Sequence, residues 1–202
     1  MDGTLYLGHE VGDSATLVLD EGGHTSVQHS AYVGFKGNAA TYVEGVNSSF
    51  EVGENLYLAS EAGSSGALLI DNGGSVSANA AFVGMGGSGI VDVNEGATLD
   101  LSNQLYLGFH DGATATLNIK SDGEADVLED VVIGRAGTGY ASVIGEGAAL
   151  NIGEDLVLGL FPNSDGSLTV NNEGTVRVDG DATFGIGGRG MAWCTVRARL
   201  LM

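Results

Sequence analysis

The sequence predicts an all-β fold: a right-handed parallel β-helix (β-solenoid) with about 25 residues and three short strands per coil, in seven to eight coils. Three observations predict it. A phrase of an apolar residue, a ring or Val, an aliphatic residue and then Gly returns throughout the chain, as in Leu5-Tyr6-Leu7-Gly8 and Leu105-Tyr106-Leu107-Gly108. Its closing positions, 8, 34, 59, 84, 108, 134, 159 and 185, lie 24 to 26 residues apart. Between returns, apolar residues alternate with polar ones in runs broken by Gly, Asn and Asp, the signature of strands and turns, and nothing repeats at helical spacing.

The first coil divides into three strand candidates. Leu5-Tyr6-Leu7 ends at Gly8; Ala15-Thr16-Leu17-Val18-Leu19 sets Ala15, Leu17 and Leu19 on one face; Thr25-Ser26-Val27 follows the turn Asp20-Glu21-Gly22-Gly23. Later coils repeat the plan in two alternating forms, a superperiod of about fifty residues. The array is assigned to residues 1–188, with coils starting near 5, 31, 56, 81, 105, 131, 156 and 182. Neighbouring coils spaced ~4.8 Å apart make a rod roughly 35 Å long. The aliphatic column Leu7, Val33, Leu58, Val83, Leu107, Ile133 and Leu158 is expected to point inward. Each such side chain contributes ~1.5–3 kcal/mol before conformational entropy is set against it.

Composition narrows the function. The 202 residues carry 35 Gly, without collagen spacing, and 26 acidic against 7 basic side chains, a net charge of −19. Through Gly188 only Lys36, Lys120, Arg135 and Arg177 oppose all 26 acids, so the body repels phosphate backbones and nucleic acid is not an expected partner. Cys194, the single cysteine, permits no internal disulfide. No apolar run approaches the ~18 residues of a membrane span, and no signal peptide is visible at Met1. The repeat starts at Leu5 with no capping segment before it, which points to a fragment of a longer secreted chain with further repeats.

The segments Val43-Glu44-Gly45-Val46-Asn47-Ser48-Ser49-Phe50-Glu51-Val52-Gly53-Glu54-Asn55-Leu56-Tyr57-Leu58 and Asp71-Asn72-Gly73-Gly74-Ser75-Val76 resemble the autotransporter- and PEP-CTERM-associated repeat. The resemblance spans residues 5 to 188 and rests on degenerate, Gly-rich motifs. It implies a bacterial exported or surface-associated β-solenoid, as in autotransporter passenger regions. Neither an autotransporter barrel nor a sorting tail is present in this sequence, so the resemblance leaves the anchoring mode open.

Two surface columns emerge from the repeat. The residue between the inward aliphatics of the phrase points outward, giving Tyr6, Tyr32, Tyr57, Phe82 and Tyr106 and then Val132, Val157 and Thr183. This aromatic strip is the candidate binding feature: either a surface for an extracellular glycan or partner protein, or a stabilising cross-strand ladder. At the turn before the third strand, Glu21, Glu95, Asp122, Glu146 and Glu173 each precede Gly, with Asn72 and Val46 in the same row. Calcium is one use of such a row; an ordinary acid–Gly turn is the plainer one, and no metal or other cofactor is expected.

Other motifs dissolve into the repeat. Gly84-x-Gly86-x-x-Gly89 and Gly185-x-Gly187-x-x-Gly190 match a dinucleotide fingerprint but occupy equivalent repeat turns with no following helix. Residues 189–202 lose the repeat, reverse the charge sign and contain the only Trp and Cys, and are read as a divergent tail: a cap, or a truncated or frame-shifted end.

No catalytic residues are expected. Arg135 and Arg177 are the mid-chain basic candidates for a lyase-type site, and no acid cluster departs from the repeat around them. The expected function is a non-catalytic structural or adhesive module of a bacterial secreted or cell-surface protein, located outside the cell or on its outer surface. A polysaccharide-binding or lyase-like β-helix is the alternative.

Overall fold

Period-two alternation produces short strands, and Gly-rich breaks fold each group of three into one coil. In the structure, a computed structural model that describes residues 1–195 and 199–202, eight coils stack into a β-solenoid with no helix among those residues. Each coil contributes one strand to each of three parallel eight-stranded sheets.

The first sheet holds Leu5–Leu7, Ala31–Val33, Asn55–Leu58, Ala80–Val83, Leu105–Leu107, Val131–Ile133, Leu156–Leu158 and Ala182–Phe184. The second holds the longer strands Ser14–Leu19, Asn38–Glu44, Ser65–Asp71, Ser88–Val93, Thr114–Lys120, Thr138–Ile144, Asp165–Asn171 and Arg189–Cys194. The third holds His24–Val27, Ser49–Val52, Ser75–Ala78, Thr98–Leu101, Glu124–Val127, Ala149–Ile152, Thr175–Val178 and Arg199–Leu201. The repeat sets the register directly. Leu5, Tyr6 and Leu7 pair with Ala31, Tyr32 and Val33, and those with Leu56, Tyr57 and Leu58.

The predicted inward column is the core. Val33, Leu58, Val83, Leu107, Ile133 and Leu158 are fully buried, and Leu7 is partly covered, packed against the same cluster. In the third sheet Phe50 is also fully buried, facing Thr25 and Val76 in the adjacent coils. In the second sheet the column Leu17, Thr41, Leu68, Val91 and Leu117 contains one polar member. Thr41 is fully buried and its Oγ1 has no hydrogen-bond partner.

Gly closes the recurring phrase because the chain turns there in the left-handed region. Gly34 has φ +76°, and a β-carbon on it would run into the backbone carbonyl of Ser65. Ala59 occupies the equivalent turn at φ 54°, a conformation that costs an L-residue about 1 kcal/mol.

The turns between the second and third sheets explain the acidic row. Gly23 donates to Asp20 O and Gly123 to Lys120 O, closing four-residue turns. Glu21 (φ 49°) is the first central residue of one, whereas Asp122 (φ 64°) is the second central residue of the other. Five such turns have positive φ at both central positions, which Asn, Asp and Gly tolerate best. The carboxylates that look aligned in sequence are therefore offset by one position between coils.

The tail that the sequence sets apart at residue 189 extends the array. Arg189–Cys194 pairs in register with Asp165–Val170, and Arg199–Leu201 pairs with Thr175–Arg177. Residues 196–198 of that tail lie outside the described residues. No helix among the described residues is long and apolar enough to cross a membrane.

Two substitutions test the core by denaturant unfolding. Leu107→Asp places an unpaired charge in the middle of the aliphatic column and is expected to abolish cooperative unfolding or destabilise by at least about 4 kcal/mol. Thr41→Val removes the unpartnered hydroxyl while keeping the branched shape, and is expected to raise stability by about 1 kcal/mol.

Candidate functional site

The ring strip forms as a continuous ladder. Tyr6, Tyr32, Tyr57, Phe82 and Tyr106 pair in register, with ring centroids 4.8, 4.7, 5.0 and 5.2 Å apart and interplanar angles of 5° to 18°. Two further rings brace it edge-on. Phe35 lies 5.2 Å from Tyr6 and 5.3 Å from Tyr32, and Phe109 lies 5.2 Å from both Phe82 and Tyr106. Arg135 extends this second row, its guanidinium 4.1 Å from the Phe109 ring centroid and 4.9 Å from that of Phe161.

Face-to-face stacking determines what the strip can offer. A sugar ring stacks on an aromatic face, but here each internal face is already covered by the ring of the next coil. Solvent meets edges and hydroxyls. The Tyr57 hydroxyl accepts from Asn55 Nδ2 at 3.1 Å, and the Tyr106 hydroxyl donates to Gln104 Oε1 at 2.9 Å. Burial holds the Tyr32 hydroxyl above its ordinary pKa, with the neighbouring Tyr57 and Tyr6 adding to the effect, so it stays protonated at neutral pH. This geometry favours the stabilising ladder over a stacking platform.

A second surface feature is concave. In the four-residue strands of the third sheet, the second and fourth residues point inward and the third points outward. The outward column reads Ser26, Glu51, Ser77, Asp100, Asp126, Asn151 and Arg177 in register. Just past the strands, Gly53, Asn79, Ser102, Leu128, Gly153 and Asp179 run beside it. Ser102 N donates to Ala78 O, Leu128 N to Leu101 O, Gly153 N to Val127 O and Asp179 N to Ile152 O. Small side chains at Gly53, Ser77, Ser102 and Gly153 leave a groove of about 630 Å³ along the rod. Leu128, 65% exposed, stands on its flank, and the Arg177–Asp179 ion pair at 2.7 Å lies at its far end.

The polar groups in the groove are unevenly satisfied. Asn151 Nδ2 donates to Asp126 Oδ1 at 2.7 Å and to Glu124 Oε1 at 2.8 Å. Asp100 sits one coil from Asp126, and neither takes part in an ion pair among the described residues. Partial burial pushes the Asp100 carboxyl above the ordinary carboxylate range; the negative charge of Asp126 adds to the shift, and a hydrogen bond with Thr98 opposes it. No group of three or more His, Cys, Asp or Glu among the described residues is arranged to hold a metal ion.

Stacking brings Arg177 into one row with Asn151 and Asp126, and Arg177 pairs with Asp179. The signal was present in the 23- to 26-residue spacing of Ser77, Asp100, Asp126, Asn151 and Arg177, an outward column of the third strand. Comparison with protein-family models, with curated proteins and with solved structures returned no match.

Asp100 supplies a stability test. Its folded-state pKa lies above its unfolded value, so the folded state holds this proton more tightly and stability falls as pH rises through the carboxylate range. Asp100→Asn removes that cost. The variant is expected to melt higher than wild type near pH 7, and the difference is expected to vanish at about pH 3, where the wild-type carboxyl is protonated in both states.

Proposed function

We propose that this chain is a non-catalytic structural and adhesive β-solenoid module of a bacterial secreted or cell-surface protein, acting outside the cell or on its outer surface. The observation that carries this reading is the groove along the third sheet. It crosses successive coils, and it is built from the outward positions that the repeat leaves free to vary. A rod of stacked coils with one elongated trough suits an extended polymer, and the resemblance of the repeat to autotransporter-associated sequences supports an exposed location. The aromatic ladder serves the rod by bracing its first five coils, and its edges and hydroxyls remain available to a partner protein.

A polysaccharide-active β-helix is the second reading, favoured by the adjacent carboxylates Asp100 and Asp126 in the same trough as Arg177. Two carboxylates across a glycosidic bond are the usual requirement of glycoside hydrolysis. Against lyase chemistry on acidic sugars stand the net charge of −19 and the engagement of Arg177 with Asp179.

A glycan array and a turnover assay separate these readings. Wild type is expected to capture a subset of glycans and release no shortened products from neutral, cationic or acidic polysaccharides. A Tyr32→Ala/Tyr57→Ala/Phe82→Ala variant is expected to lose several kcal/mol of stability yet retain capture at a temperature where it is folded. Product formation by wild type would remove the non-catalytic reading, and loss of capture by the folded ring variant would return the binding role to the strip.

A further inference from the structure

We infer that the outer face of the second sheet is an interface on which two copies of this chain pack side by side and antiparallel, about a two-fold axis that runs along the strands between the fourth and fifth coils. The inference goes beyond the adhesive reading and does not depend on it. It is carried by the distribution of charge over the rod, together with the size and side-chain pattern of that face.

The second sheet has the longest strands, and two outward columns cross it in register, one from Thr16 to Met191 and one from Val18 to Trp193. Asp92 is the only charged residue in either column, although the chain holds 26 acidic and 7 basic side chains. Its carboxylate accepts from Asn118 Nδ2 at 2.7 Å, and Ser142 Oγ donates to Asn118 Oδ1 at 2.8 Å, so the polar groups in the middle of the face are already paired. Around them Val18, Ile90, Tyr140 and Trp193 are exposed. Two bodies of net charge −19 repel wherever acids oppose acids, so this face is the one open to close approach by a second copy. Eight strands of about six residues offer roughly 700 Å² on each copy, ~1,400 Å² in a pair, which lies within the range of stable interfaces. The strands of the first sheet, three or four residues long, offer about half as much.

Side-chain size and charge fix the orientation. Antiparallel packing sets each coil against the coil equally far from the other end of the second copy. Tyr42 then lies over Thr169, Leu69 over Ser142 and Tyr140 over Ala67, large against small, while Asp92 faces Asn118. The same packing lays the first coil, with Glu10, Asp13, Asp20 and Glu21 and no Lys or Arg, beside the last, which beyond Asp181 has Arg189, Arg197 and Arg199 and no acid. Parallel packing would instead oppose two acidic first coils and set Asp92 against Ile90.

The test is sedimentation equilibrium of the 202-residue chain over a wide range of concentration, at low and high salt. Wild type is expected to pass from monomer to dimer with no larger species, and the dimer is expected to strengthen as salt screens the repulsion between the two acidic bodies. Tyr42→Glu buries a carboxylate in the contact and is expected to weaken the dimer by roughly a hundredfold. Tyr42→Glu/Thr169→Lys is expected to recover most of that loss. The two positions are five coils apart, ~24 Å within one chain and too far to pair, yet they oppose each other across the two-fold axis. Val46→Glu adds the same charge on an exposed turn and is expected to leave the dimer unchanged. Tyr42 is only half-buried in a single copy, so its variants are expected to fold, which circular dichroism checks.

A chain that stays monomeric or grows into longer assemblies, a dimer that weakens as salt rises, equal loss in Val46→Glu, or failure of Thr169→Lys to rescue Tyr42→Glu would each overturn the inference. So would glycan capture by a monomer that Tyr42→Glu abolishes, which would assign the face to a ligand instead. The adhesive reading is decided separately, by wild-type capture on the glycan array.

Discussion

Coil-on-coil stacking in register is the interaction on which every other feature of this molecule depends. A single coil buries almost nothing: its three strands have free edges on both sides, and its inward aliphatics meet only each other. Placing the next coil above it satisfies one row of backbone donors and acceptors in each sheet and covers Val33 with Leu58, Leu58 with Val83, and so on. The hydrophobic and hydrogen-bonding terms therefore grow together, one coil at a time. The partial exposure of Leu5, Leu7, Ala15 and Leu17 in the first coil shows the same dependence from the opposite side, because these side chains have a neighbour on one face only.

Stacking also limits what may vary. Turns between the first and second sheets accept Gly at most coils because an added β-carbon meets the carbonyl of a neighbouring coil, as at Gly34 and Gly84. Ala59 shows that the left-handed turn itself is tolerable where the surroundings accommodate a methyl group. Thr41 shows that even the inward column admits an exception, at the cost of a buried hydroxyl without a partner. Variation is freest at outward positions, so any recognition this rod performs is written there.

The same geometry gives opposite results on two faces. On the first sheet, identical large flat side chains one strand apart stack on each other, and the ring faces that would recognise a sugar are consumed in holding the rod together. On the third sheet the outward residues are small or charged. Small neighbours leave a trough, and in it partial burial, with the neighbouring charge of Asp126 adding to the effect, raises the Asp100 pKa. Stacking of large rings covers the ring faces on one surface; small outward side chains leave a trough on the other.

Much of the fold was legible in the sequence because a repeat displays its structural requirements many times. The recurrence of Leu-Tyr-Leu-Gly and its variants carried the coil length, the inward column and the register of the rings, since period-two alternation leaves each residue of a short strand only two directions to face. The candidate site was harder to read. The groove is made from third-strand residues whose identity differs from coil to coil, Ser77, Asp100, Asp126, Asn151 and Arg177, so only their spacing of 23 to 26 residues marks them as one column. The tail beyond residue 188 changes composition while its backbone continues to pair with Asp165–Val170 and Thr175–Arg177. The sequence by itself determined which side chains form the core and how far apart the coils fall, because burial and alternation are local and repeated. Only the tertiary structure decided which outward residues face a common space, whether the ring faces remain free, and that the acidic turn row is offset between coils. Those outcomes depend on side-chain size and turn geometry across neighbouring coils, which no single stretch of the chain contains.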